Sequence, residues 1–244
     1  MAGVRYQPSF KKHMERVVQP ELLDELPARD RHALRSRRDL QRLNAWMRHA
    51  RIMARALQGG LNGRSARQII ELGAGDGHFF LRVARHLRGR WPTAEATLVD
   101  RLDVFDPAVA RHFDRFGWHI QVEVAEAAEW LRQDRPRTAD AIFTNLFLHQ
   151  FNAAQLAELL RLAARSARVV IALEPRRTAW LYFCSRLLWL TGCCPVTRHD
   201  APVSVRAGFA GHELTALWPD DGGWEIIERP AGLFSHLFVA RRKD

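Results

Sequence analysis

Residues 69–77, IIELGAGDG, constrain this chain more than any other stretch. Two β-branched residues, an acid and a leucine run directly into three glycines that alternate with Ala74 and Asp76. The apolar run reads as a buried strand, and glycine behind it permits a turn that a residue carrying a Cβ resists. In an open parallel sheet the ligand crevice lies at the carboxyl ends of the strands, where the first strand-to-helix turn brings main chain closest to the ligand. A tight turn needs fewer glycines than Gly73, Gly75 and Gly77 together, so the stretch predicts a bare main-chain wall against a bulky bound molecule.

The rest of the chain supplies the sheet that such a turn requires. Apolar strand-like runs at 68–71, 96–99, 119–124, 141–144 and 168–173 alternate with helical patterns at 78–87, around 108–116, at 127–131 and at 153–164. That alternation is the mark of parallel βαβ units. Near the end, WEIIE (224–228) and LFSHLFVAR (233–241) are joined only by RPAG, a link so short that the pair must be antiparallel. The expected fold is α/β, a doubly wound, seven-stranded, mainly parallel sheet with a C-terminal antiparallel hairpin. With 244 residues, 47% of them hydrophobic, the chain can bury one sizeable core.

Upstream, Leu40, Leu43, Met47, Ala50, Ala54 and Leu57 form one helical face, with Ser36 and Asp39 placed as its cap pair, before QGGLNGR (58–64) breaks the pattern. Pro20 and Pro27 punctuate what reads as short helices outside the main domain. The chain therefore divides into an N-terminal helical extension or lid, residues 1–60, and a main domain, residues 61–244. It shows no internal repeat and no low-complexity segment.

Composition narrows the function. Cys184, Cys193 and Cys194 are too few and too clustered for a disulfide framework, and no Cys/His set has zinc spacing, so no metal is expected and a reducing, cytoplasmic setting is. The first residues lack the apolar core of a secretory signal. Residues 179–196 are apolar but carry Arg186 and stop at Pro195, a poor span where about 20 mostly uncharged residues are needed; an interfacial or lid helix, with peripheral membrane contact, stays open. The net charge of +10 points to a polyanion, yet the basic residues are scattered and nearly all arginine, with lysine only at Lys11, Lys12 and Lys243, which disfavours a nucleic-acid stripe. Oligomeric state is not legible.

Spacing decides between cofactors. A dinucleotide fingerprint, G-x-G-x-x-G, needs a glycine where this chain has His78, which disfavours a nicotinamide oxidoreductase. The order present, E-x-G-x-G-x-G, resembles motif I of the class I S-adenosylmethionine-dependent methyltransferases. The likeness runs well over residues 64–173, more loosely over the terminal hairpin and weakly over the first sixty residues. It implies a Rossmann-like methyltransferase fold with S-adenosylmethionine as cofactor. By that resemblance Gly73, Ala74 and Gly75, with Gly77 behind them, back the methionine half, and Glu71 orders the loop and helps receive the ammonium. Asp100, ending the second strand, accepts the ribose hydroxyls, a bidentate contact that an apolar residue cannot make, and Arg101 beside it is a further cofactor-binding candidate. Glu126 and Ala127 read the adenine, and Asn145 and Leu146 close over the cofactor. His149 then faces the transferred methyl as a candidate catalytic base, its ordinary pKa suiting it near neutrality; the bland alternative is a hydrogen-bonded core histidine.

The acceptor is less legible. The segment after the fourth strand reads NLFLHQF, lacking both the [N/D/S]-P-P-[Y/F/W] motif of amino methyltransferases on nucleic acids and the Pro-Cys of cytosine enzymes. Residues 180–190, with Phe183, Leu187 and Trp189, and the N-terminal helix with Asn44, Trp46 and Met47 form either a lid over an aromatic or lipid-like acceptor or ordinary core. TRHDAPVSVRAGF (197–209) offers His199, Asp200, Ser204 and Arg206 as acceptor contacts, unless Asp200 and Ser204 merely cap a turn and Arg206 lies along the surface. The expected activity is methyl transfer to a small molecule, on an oxygen of a phenolic, quinone-like or polyketide-derived acceptor. An RNA methyltransferase and a non-catalytic cofactor-binding protein are the alternatives.

Overall fold

The expected alternation resolves into one sheet in the computed structural model, which describes residues 14–133, 138–219 and 222–243. Among the described residues the strands are β1 (Gln68–Leu72), β2 (Ala94–Asp100), β3 (Trp118–Val124), β4 (Ala139–Asn145), β5 (Ala167–Pro175), β6 (Trp224–Ala231) and β7 (Ser235–Arg242). Their order across the sheet is β3-β2-β1-β4-β5-β7-β6. The first five are mutually parallel, and β7 inserts antiparallel between β5 and β6. The reversal of order at β1 and β4 is the topological switch point where a doubly wound sheet opens its ligand crevice. The terminal link is shorter than the sequence implies. Arg229 and Pro230 belong to β6, Ala231 pairs with Ser235, and only residues 232–234 turn. Proline is tolerated there because β6 is an edge strand.

Successive strand residues feed opposite faces. Ile69 joins a core with Phe80, Leu87, Phe113 and Phe143, while Ile70 joins another with Trp130, Leu156, Leu160 and Trp218. The described α-helices are α1 (Leu22–Glu25), α2 (Arg31–Trp46), α3 (His49–Gly60), α4 (His78–Leu87), α5 (Pro107–Asp114), α6 (Ala127–Arg132), α7 (Ala153–Ser166), α8 (Ala179–Ser185), α9 (Pro195–Ala207) and α10 (Glu213–Leu217), and the two cores draw on α3 to α7 and α10. Helix α3 places Met53, Ala54 and Leu57 in the same core as Ile69.

Two local expectations are corrected. The N-terminal helical face is two helices, broken at Arg48 in the left-handed region (φ 58°), and α2 starts earlier than expected, capped by Asp30 through the N–H groups of His32 and Ala33. Ser36 and Asp39 are buried inside α2: Ser36 Oγ meets Thr197 Oγ1 at 2.9 Å, and Asp39 accepts the Cys194 N–H at 2.6 Å. Asp39 thus serves the N-terminus of α9, a tertiary cap that sequence spacing does not reveal. Residues 197–207, read as a connector, are helical in α9 despite the internal Pro202. Pro195 sits at its first turn, where the missing N–H costs nothing. Asp200 caps α1 rather than a turn of its own, accepting from Leu22 N (2.8 Å) and Leu23 N (3.0 Å). Residues 1–13 of the expected extension lie outside the described residues.

Candidate active site

The glycine loop is tied to the neighbouring strand. The N–H groups of Gly73 and Ala74 both donate to Val99 O, at 2.9 and 3.1 Å, which presses the loop against the end of β2. Asp100 completes the link: Oδ2 accepts from Gly75 N at 2.8 Å and Oδ1 from Leu102 N at 2.9 Å. Each oxygen keeps a second acceptor position. Gly73 (φ 71°) has no room for a Cβ, which would stand 2.3 Å from Phe147, whereas beside Gly75 (φ 56°) nothing lies within 4 Å. Gly77 is the N-cap of α4, behind the wall. The loop forms one side of a cavity of about 630 Å³, within the range typical of small-molecule sites.

Two polar atoms of this cavity's lining residues are buried with no partner among the described residues, Glu71 Oε2 and Asn44 Oδ1. Leaving such an acceptor unsatisfied costs roughly 1–3 kcal/mol. Burial, then the charges of Asp76 and Asp100, raise the Glu71 carboxyl well above the usual carboxylate range. The pocket therefore offers acceptors and negative potential to a ligand that brings donors and positive charge. Asp76 is steadied by Gln41 Nε2 at 2.7 Å. Arg101 sits at the margin, its guanidinium on the Asp24 carbonyl at 3.3 Å, and Glu126 and Ala127 line the cavity at the start of α6.

Across the cavity, the end of β4 is rigid and polar. Asn145 Oδ1 lies 2.9 Å from His49 Nδ1, whose Nε2 lies 2.7 Å from Ser235 Oγ, and burial lowers the His49 pKa to about 4. Leu146 occupies the left-handed region (φ 54°), a strained state for leucine held by its N–H on Leu173 O at 2.9 Å. His149 follows, fully enclosed. Its Nδ1 lies 2.9 Å from Glu174 Oε2 and its Nε2 3.0 Å from Glu21 Oε1. Burial opposes protonation of the ring, but the two carboxylates outweigh it and push its pKa up to about 10. Burial alone would raise Glu21; His149 and the Ser204 hydroxyl overcome that and hold its carboxyl below the ordinary range. Glu174 also accepts the N–H groups of Phe147 (3.1 Å), Leu148 (2.9 Å) and His149 (3.3 Å).

Asn44, Glu71, Gly73, Ala74, Gly75, Asp100, Arg101, Glu126, Ala127, Asn145, Leu146 and His149 are thus brought around one cavity. His199 and Arg206 are not among its lining residues: the half-exposed His199 ring pairs with Asp200 at 2.9 Å, and the Arg206 carbonyl holds Val17 N at 3.2 Å. Both face away because α9 presents Ser204, not its neighbours, to the cavity. Among the described residues no His/Cys/Asp/Glu group could hold a metal ion.

No protein-family model matches the sequence, and no curated protein matches it. Solved structures do. Plantazolicin methyltransferase BamL, in complex with a triazolic desmethylPZN analog and SAH, superposes with a TM-score of 0.64 over 91% of this chain and 93% of its own, at 12% identity. The chain has the class I methyltransferase fold. An O-methyltransferase family protein from Burkholderia thailandensis gives 0.55 over 82% of this chain, at 19% identity, and this chain spans 57% of that one. Magnesium protoporphyrin IX methyltransferase ChlM from Synechocystis PCC 6803, with bound SAH, gives 0.50 over 81% of this chain and 83% of its own, at 13% identity.

Within this methyltransferase fold, sequence reasoning missed Glu21, Glu174 and His49. Glu174 carries the same signal as Asp100, an acid ending an apolar strand, and was findable. Glu21, the residue after Pro20, carries no local signal, since what makes it notable is a contact with a residue 128 positions away.

Proposed function

We propose that the chain is an S-adenosylmethionine-dependent methyltransferase acting on a small molecule, at an oxygen of a phenolic, quinone-like or polyketide-derived acceptor. The observation that carries this reading is the pair of buried acceptors, Glu71 Oε2 and Asn44 Oδ1, in residues that line the cavity and without a partner among the described residues. They suit an ammonium, while Asp100 keeps acceptor positions for ribose hydroxyls, and Glu126 and Ala127, which line the same cavity, are assigned to the adenine. The names of the superposing structures, which include SAH complexes, support the same cofactor. When bound, that cofactor supplies a methyl group on a positively charged sulfur.

The chain's own task is to position the acceptor and take its proton. His149 is held as an imidazolium while Glu21 occupies Nε2, and in that state it is no base. An acceptor hydroxyl that takes the place of Glu21 removes one of the two carboxylates that keep the ring charged. The Nε2 proton leaves with Glu21, Glu174 still orients the ring through Nδ1, and Nε2 becomes free to receive the hydroxyl proton. The free thiols Cys184, Cys193 and Cys194 accord with a reducing, cytoplasmic setting.

Incubation with S-adenosylmethionine and a panel of phenols and hydroxyquinones is expected to yield S-adenosylhomocysteine and a methyl ether by mass spectrometry. A second reading, a cofactor-binding protein without turnover, draws on the occupation of both His149 ring nitrogens. Cofactor binding by calorimetry with no product from any acceptor would favour it.

A further inference from the structure

Outside the cavity, three segments distant in sequence gather large apolar side chains at the surface. Trp46, at the end of α2, is 67% exposed; Trp180 and Phe183 on α8 are 56% and 62% exposed; Leu190 and Leu233 reach 65% and 64%. Trp180 and Phe183, three residues apart, share one helical face. The Phe234 ring joins the segments, its centroid 4.7 Å from Trp46 and 6.3 Å from Trp180. Trp189, 58% exposed, follows α8 in the chain. Single exposed apolar residues are ordinary, but a cluster of three tryptophans with phenylalanine and leucine marks a contact surface.

Charge identifies what it contacts. The segments that build the patch contain no acid: none occurs in residues 40–70, in 175–199 or in 229–243. Arg48 and Arg186 are exposed within these segments, and no carboxylate among the described residues pairs with either. A second copy seated here would set arginine against arginine with nothing to neutralise them. Nucleic acid would leave Leu190 and Leu233 without an apolar partner. An anionic lipid surface satisfies both requirements, because tryptophan settles at the headgroup level, leucine and phenylalanine enter the acyl boundary, and arginine meets lipid phosphate.

We propose that the face formed by Trp46, Trp180, Phe183, Trp189, Leu190 and Leu233 docks this protein peripherally on anionic phospholipid membranes. No described helix is long and apolar enough to cross a bilayer, so the contact is with the surface. Helix α2 carries Trp46 at its end and Gln41 and Asn44 in the cavity wall, which sets the docked face beside the cavity. The inference does not depend on the methyl-transfer reading.

Flotation with vesicles of phosphatidylglycerol and phosphatidylcholine tests it, with pure phosphatidylcholine vesicles as the second arm. Binding to the anionic vesicles, weaker on the neutral ones and weakened by salt, is the expected result. The double variant Trp180→Ser, Trp189→Ser is expected to lose about tenfold or more in partitioning through the loss of two interfacial aromatics. Its melting by circular dichroism should be unchanged, because both residues are exposed. Arg48→Gln with Arg186→Gln should weaken binding to the anionic vesicles alone. A wild-type protein that stays with the aqueous fraction in both arms overturns the proposal. So does a vesicle-free dimer, seen by light scattering, that the double tryptophan variant dissociates.

Discussion

The two sides of the cavity treat their polar groups in opposite ways. Glu71 Oε2, at the foot of the glycine loop, and Asn44 Oδ1 in the cavity wall are buried without partners among the described residues. Across from them, Glu174 accepts three backbone N–H groups and the His149 ring, and His149 is engaged at both nitrogens. The first side carries a desolvation cost that only a donor-bearing ligand relieves. The second is satisfied internally, so it is rigid as it stands and must exchange a contact before it acts. A preformed receptacle for one ligand and a guarded site for another are what a two-substrate reaction needs.

The contrast breaks most severely at its saturated side. Glu174→Ala would leave the His149 charge with Glu21 alone and strand three N–H groups in the core, and removing one partner of a buried pair costs about 3–5 kcal/mol. Urea unfolding is expected to show that loss, and a variant of wild-type stability would mean that the network is decorative.

On the receptive side, Asp100→Ala removes two loop contacts and the proposed ribose acceptor. Charge-assisted hydrogen bonds of this kind contribute about 1.5–3 kcal/mol, so cofactor affinity should fall roughly 10- to 100-fold by calorimetry. An unchanged affinity would move the cofactor elsewhere.

Glu21→Gln sharpens the comparison by loosening the guard. With one carboxylate gone the His149 pKa drops, so the acidic limb of kcat/KM should move to lower pH. If turnover vanishes instead, Glu21 itself takes the acceptor proton. The same pair has a stability consequence. The folded-state His149 pKa is raised from 6.5 to about 10, so its contribution is complete below about pH 6.5 and disappears as pH rises through about 10. Melting temperature should decline over that window in the wild type and less in Glu21→Gln.

The smallest effect is expected at Glu71. Its carboxyl is raised by burial and by Asp76 and Asp100, and a cationic ligand beside it favours the ionised form. Cofactor affinity should therefore rise with pH until Glu71 ionises unaided, and this slope should be absent in Glu71→Gln. A flat wild-type profile would remove Glu71 from ammonium binding.

Much of the fold and one side of the cavity were legible in the chain itself. Gly73, Gly75 and Asp100 announce themselves because each stands at the end of an apolar strand, a position readable from neighbours alone. Helix α9 was hidden by Pro202, which argues locally against a helix while Asp39 and Pro195 secure its start from elsewhere. The cap of α2 was misplaced because Ser36 and Asp39 fit a capping pattern although their partners, Thr197 and Cys194, belong to another helix. His199 and Arg206 share a segment with Ser204, but helical geometry turns only Ser204 toward the cavity.

By itself the chain determined the alternation of strands and helices, the parallel sheet with a reversed end, and the bare loop after β1. These follow from side-chain periodicity and from the backbone freedom of particular residues, which are local properties. Only the tertiary structure decided that His149 is charged between Glu21 and Glu174, that Glu71 and Asn44 keep acceptors unshared among the described residues, and that Trp46, Trp180 and Phe234 meet. Charge state and exposure depend on burial and on distances between residues far apart in the chain, and periodicity carries neither.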